Sequence, residues 1–185
     1  MPEAFQPGGR PPAPPPLDLV QDFVNTEVPD WERDDIATAD ELGAWLAEHG
    51  LLTGGTTVDT RTLAAAHALR AALRDLALAN TLGDAVVRAR AAEIDATLAR
   101  FPLALRLDQG VPVLASAGGL GTLVAIVAEA RLRGDWERMK ACRQRTCGWL
   151  FYDGSRNRSS SWCSMQICGG REKARAYRRR AAGVG

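Results

Sequence analysis

CRQRTCGWLFYDGSRNRSSSWCSMQICGGREKARAYRRR, residues 142–180, holds all four cysteines of the chain. They stand as two C-x4-C pairs, Cys142 with Cys147 and Cys163 with Cys168, separated by fifteen residues. Paired thiolates at short spacing are what a tetrahedral Zn²⁺ needs, because each pair can clasp one edge of the tetrahedron from a tight turn, at about 2.3 Å from metal to sulfur. A site of four thiolates has no open position for water, so it stabilises a fold instead of activating a nucleophile. The expectation is one structural zinc in a small C-terminal finger. Two disulfides in a secreted protein are the alternative. The N-terminus offers Pro and Gly where a signal peptide would have a basic stretch followed by an apolar one, which favours a reduced, cytoplasmic setting.

The same stretch is strongly basic. Residues 138–180 carry twelve Lys and Arg against Asp153 and Glu172, a charge of +10, while the whole chain has a formal net charge of +1. The remainder is therefore acidic, at −9. Zinc bound by four thiolates leaves about +8 on the module. Such density is the electrostatic footprint of a polyanion partner, most often nucleic acid. Docking on the acidic body of the same chain, or on a protein partner, is the competing use of the charge. Turn chemistry places Cys142 and Cys147 in a knuckle closed by Gly148, residues 149–152 in a strand, and the second pair at the start of a helix. That helix would present Arg171, Lys173, Arg175, Arg178, Arg179 and Arg180; Arg143, Arg145, Arg156 and Arg158 complete the candidate phosphate contacts.

Further from the cysteines, composition changes at about Glu137, from Ala, Leu and acidic residues to Arg, Cys, Ser and Gly. This divides the chain into a flexible Pro/Gly-rich N-terminus (1–16), a mainly helical domain (17–137) and the finger (138–181). Leu17, Val20, Phe23 and Val24 recur at helical spacing. Thr38 or Asp40 can cap a short helix carrying Leu42, Trp45 and Leu46, with Gly50 as its stop. Longer helices are predicted over 59–80 and 83–100. At 103–116 the pattern alternates around Gln109 and Gly110, the sign of a β-hairpin. A buried helix is predicted over 118–133, running on toward Trp136, Met139 and the first cysteine. The fold class is thus α+β: a mainly helical N-terminal domain with a small β-hairpin, plus a small four-cysteine zinc finger. The uncharged stretch 109–128 is interrupted by Pro112, Gly118, Gly119 and Gly121, so no membrane span is expected.

The motifs of the finger resemble the CGNR zinc-finger family: C-x4-C, then Leu150, Phe151 and Asp153, then Ser155, Arg156 and Asn157, then Trp162, Cys163 and Ser164, and the second C-x4-C. The opening LDLVQDFVNT, through Asp22, Phe23, Val24, Asn25 and Thr26, resembles the ABATE domain that commonly precedes that finger. Two departures stand out: Gly170 replaces the family Asn, and Ser159, Ser160 and Ser161 replace basic residues. The resemblance implies a bacterial regulator whose finger binds DNA and whose N-terminal domain senses a small-molecule effector or mediates contacts.

Asn25, polar at the end of an apolar turn, is either a cap or buried hydrogen-bonding group, or a candidate ligand-pocket residue. His49 and His67 are expected to serve packing or surface. Trp149 and Trp162 flank metal ligands and are expected to pack around them. Neither a Ser/His/Asp set in recognisable context, nor a phosphate loop, nor HExxH is present, so no enzyme is expected. The overall expectation is a zinc-containing protein that binds double-stranded DNA and regulates transcription, with RNA as an equally compatible polyanion. The alternative is a sensing or interaction module whose finger docks a protein.

Overall fold

The computed structural model describes residues 6–52, 57–116, 118–181 and 183. Leu17, Val20, Phe23 and Val24 form the buried face of helix α1 (Leu17–Val24), which closes when Asn25 N donates to Gln21 O. A short ladder follows, β1 (Glu27–Val28) against β2 (Arg33–Asp34), around the turn Pro29–Trp31. Helix α2 (Ala39–Glu48) begins with a reciprocal cap: Thr38 Oγ1 accepts from Glu41 N, and the Glu41 carboxylate accepts from Thr38 N. Two of its orphan amides are satisfied in this way. Leu42 and Leu46 enter the core, and Trp45 stacks on His49 at 4.0 Å between ring centroids.

Asp59 Oδ1 accepts from Thr62 N and starts α3 (Thr60–Leu82), the central helix of 23 residues. The stretch expected as one helix over 83–100 is instead two, α4 (Ala85–Ala89) and α5 (Ala91–Leu98). They break at Arg90, whose φ of −125° is not helical and whose guanidinium pairs with Asp75 of α3 and with Glu93. The break lets α5 lie along the alanine face of α3 with Ile94 buried. Strands β3 (Ala104–Asp108) and β4 (Val111–Ala115) make the expected hairpin. Gln109 and Gly110 both have positive φ, as a two-residue turn of the type that matches strand twist requires.

Helix α6 (Leu120–Arg133) opens at a close approach: a Cβ on Gly121 would lie 1.9 Å from Ser116 Oγ. It does not run on to the cysteines. Gly134, at φ 78°, ends it, and one 3₁₀ turn at Trp136–Arg138 leads into β5 (Met139–Ala141). Strand β5 pairs antiparallel with β6 (Leu150–Tyr152), and the final helix, α7 (Gly170–Ala181), follows a π turn at Met165–Gly169. The fold is therefore mainly helical, with three small two-stranded antiparallel sheets among the described residues. Among the described residues, no helix is long and apolar enough to cross a membrane.

Two apolar clusters meet at β6. Side chains from α1, α2, α3 and α6 form the larger, and Met139, Ala141 and Leu150 belong to it. The smaller gathers the four cysteines with Val28, Trp149 and Phe151, and Trp162 packs against it. The period of two along a strand sends Leu150 to one cluster and its neighbours to the other. The finger's own strands are therefore part of the body's core.

Of the leader expected to be flexible, residues 1–5 lie outside the described residues and part of 6–16 packs against the body. Gln6, Pro7 and Ala13 are buried. The Gln6 side chain accepts from Gln21 Nε2 at 2.9 Å and from Trp149 Nε1 at 3.2 Å, and Ala13 N donates to Gln21 Oε1. Proline removes donors from this segment. Side chains on α1 and the finger hold it instead, through the Gln6 side chain and the Ala13 amide.

Candidate metal centre and nucleic-acid interface

The loop between β5 and β6 carries Cys142 and Cys147 because the ladder brings their flanks together: Cys142 N donates to Trp149 O at 2.9 Å. Gly148, at φ 58°, sits against Arg74, whose side-chain atoms would lie 3.2 Å from an added Cβ. Cys163 and Cys168 approach from the opposite side. Ser164 Oγ accepts from Ile167 N and starts the π turn that delivers Cys168.

All four sulfurs lie within 4.8 Å of one another and all four residues are buried. Cys147 and Cys163 are 3.7 Å apart, Cys163 and Cys168 3.6 Å. Sulfurs placed tetrahedrally at about 2.3 Å from a common zinc would be separated by about 3.8 Å. The arrangement fits one structural zinc.

The protonation chemistry fits as well. Contacts from Cys147 and Cys163, with the backbone amides of Cys163 and Gln144, hold the Cys142 thiol far below its usual range. The neighbouring Cys142 in turn pushes Cys147 and Cys163 upward, and burial raises Cys168. A cluster that stabilises one thiolate at the expense of the other three accommodates four only around a cation. Zinc would supply that charge and tie the knuckle to the π turn.

Beside the metal centre, Asp153 anchors the loop 153–160. Its side chain is fully buried and pairs at 3.1 Å with Lys140, itself 5% exposed. Ser155 N, Ser160 N and Ser160 Oγ donate to its carboxylate. Burial opposes the charge, but these hydrogen bonds and Lys140 outweigh it and hold the carboxyl well below the usual carboxylate range. Lys140 also donates to Arg158 O and Ser160 O. Ser160, where the family pattern has a base, is thus part of the loop's frame. At Gly170 an added Cβ would meet only Met165 O, at 3.7 Å, so an Asn there would be accommodated.

All ten bases singled out in the sequence are exposed: Arg143, Arg145, Arg156, Arg158, Arg171, Lys173, Arg175, Arg178, Arg179 and Arg180. The fold brings three of them to one groove of about 480 Å³, where Arg143 and Arg145 of the knuckle face Arg175 of α7, beside half-buried Trp162 and Glu172. Arg156 and Arg158 project from the Asp153 loop, outside that groove. Arg175 and Arg179 pair with Glu172 on their own helix, and Arg171 reaches Asp30 of the body at 2.9 Å. The remaining seven have no ion pair among the described residues.

Asn25 is buried with its amide paired. Both ends of its amide are used by Leu150, and it lines none of the described cavities. The cap-or-buried-bond reading is the one the geometry satisfies. Arg10 was missed by sequence reasoning. It donates to Cys163 O at 2.8 Å and Trp162 O at 3.2 Å, and lies over the Phe151 ring. The one clue was a lone charge within PGGRPPAPPP.

Residues 17–138 match the model of the ABATE family, described as "Putative stress-induced transcription regulator", and residues 138–181 match that of the CGNR zinc finger. None of the curated proteins matches the chain.

Proposed function

The chain belongs to the ABATE family and ends in a CGNR zinc finger, and from that membership we propose that it is a non-enzymatic cytoplasmic regulator whose finger binds double-stranded DNA. Zinc held by Cys142, Cys147, Cys163 and Cys168 fixes the knuckle against α7. The observation that carries the reading is the groove lined by Arg143, Arg145 and Arg175. Backbone phosphates would lie in it, Arg156 and Arg158 would meet the neighbouring backbone, and the outer face of α7 with Lys173, Arg178, Arg179 and Arg180 would extend the contact. Trp162 is available at the groove edge but is half-buried, so packing remains its main role.

The ion pairs bear on the docking alternative. Among the described residues, only Arg171 of the ten bases pairs with an acid of the body. Intramolecular neutralisation therefore consumes little of the finger's charge, and the body is left to act as the sensing or contact domain. The test is fluorescence anisotropy of the zinc-loaded full chain on mixed duplex DNA across a salt series, with single-stranded RNA beside it. The logarithm of affinity should fall linearly with that of salt, by about 0.9 for each phosphate neutralised, and R143E/R145E should weaken binding. Binding flat in salt, or none at low salt, overturns the reading.

A further inference from the structure

Helices α3, α4, α5 and α6 line a second cavity, a half-open cleft of about 410 Å³ that shares no lining residue with the basic groove. That volume falls within the range of about 300–1,000 Å³ typical of small-molecule sites. Its walls are aliphatic, among them Leu76, Val87, Leu98 and Val127, and no aromatic side chain among the described residues lines it. An aliphatic cleft of this kind takes up apolar groups readily, because their burial removes apolar surface from water. It offers no ring on which a nucleobase could stack. At its rim stand Arg88 and Arg131, both exposed and neither ion-paired among the described residues, against a single acid, Asp84. The rim is thus net positive on a body that is net negative.

One lining residue connects the cavity to the metal centre. Asn80 Nδ2 donates to Trp136 O and Met139 O, both at 2.8 Å. The adjacent Thr81 Oγ1 donates to Ala141 O at 2.8 Å, immediately before Cys142. The end of α3 therefore holds β5 by two side-chain bonds and the turn before it by a third, while the same stretch forms part of the cavity wall.

We propose that this cavity binds a medium-chain aliphatic carboxylate, its chain among the aliphatic walls and its head on Arg88 and Arg131, and that occupancy is passed to the zinc finger through Asn80. Guanidinium groups suit a carboxylate head because their planar donors match its two oxygens. The inference gives a ligand class to the sensing domain of the proposed regulator and rests on that part of the reading, but its test does not require DNA.

The experiment is titration calorimetry of the zinc-loaded full chain with decanoate, with decanol as the uncharged probe and R88A/R131A as the variant. Decanoate should bind saturably at one site, with decanol on the wild type and decanoate on R88A/R131A each weaker by about tenfold or more, the loss expected when a charge-assisted hydrogen bond goes. Both arginines are exposed, and circular dichroism verifies that the variant folds. Absence of saturable decanoate binding, or equal binding of decanol or by the variant, overturns the site. Transmission is read as the rate of zinc transfer to a chelator: decanoate should change it in the wild type and not in N80A. A rate indifferent to decanoate in the wild type overturns the link. Failure of DNA binding would appear in the anisotropy experiment alone.

Discussion

Asn25 and Leu150 exchange two hydrogen bonds, Asn25 Nδ2 donating to Leu150 O at 2.9 Å and Leu150 N donating to Asn25 Oδ1 at 2.7 Å. A side-chain amide thus takes the place that a neighbouring strand would have beside β6. Gln21 Nε2 also reaches Leu150 O, at 3.2 Å, so helix α1 reads the finger's backbone at a buried point.

Replacing Asn25 tests this. N25A leaves both backbone groups of Leu150 without their Asn25 partner in the core, and should cost about 2 kcal/mol or more in urea unfolding of the zinc-loaded chain. N25D should cost more, because a carboxylate cannot donate to Leu150 O and would be buried with its charge. A loss in neither variant would show that the pairing contributes nothing to stability.

Metal removal should separate the two apolar clusters. The smaller is built almost wholly on the cysteines, with Trp149, Phe151 and Val28, and so small a core is not stable without its metal. C163S, or chelation of the wild type, should abolish zinc binding at a stoichiometry of one and shift the emission of Trp149 and Trp162 toward that of wet indole. Helical circular dichroism from α1, α2, α3 and α6 should persist, since their cluster contains no cysteine. Complete loss of helicity would mean that the finger is required for the body to fold.

Asp153 and Lys140 give a pH dependence with a definite sign. The Asp153 carboxyl is lowered in the folded state, so its stabilisation is present above the unfolded carboxylate value of about 3.9 and is lost as pH falls through the lower folded value. D153N leaves Lys140 buried without its counter-charge, a loss of about 3–5 kcal/mol at neutral pH. The difference between wild type and D153N should stay constant from neutrality to mildly acid pH and shrink only below the carboxylate range. Denaturant titrations at a series of pH values check this; a difference that grows in acid would reverse the sign and refute the argument.

Much of this was legible locally. The cysteine spacing defined the metal cluster, the recurrence of Leu17, Val20, Phe23 and Val24 defined the buried face of α1, and Gln109 with Gly110 marked the hairpin turn. What escaped depends on partners distant in sequence. Arg10 meets Cys163 O across 153 residues and Asn25 meets Leu150 across 125. Neither separation leaves a period or a composition to detect. The break at Arg90 was hidden because the local propensity of 83–100 is helical throughout, whereas Asp75 on another helix and the packing of Ile94 decide the bend. The aliphatic cavity draws its walls from separate helices, so no stretch of the chain announces it.

Glu172 sits in the basic groove and offers the sharpest test of where DNA would run. Its two oxygens reach Arg175 at 3.4 Å and Arg179 at 3.2 Å, so one acid restrains two arginines of the outer helix. Its position in the first turn of α7 is favourable to a negative charge. E172Q should therefore lose only a little stability, about 0.5 kcal/mol, for a half-exposed pair at a helix start. For DNA the balance runs the other way: the groove gains one positive charge, and both guanidiniums become free to meet phosphate. Affinity should rise several-fold at low salt, and the salt slope should steepen by up to about 0.9 for each additional phosphate contacted. If E172Q binds duplex DNA no better than wild type while R143E/R145E binds worse, the backbone would pass along the knuckle and not along α7; if both are silent, the groove is not the interface.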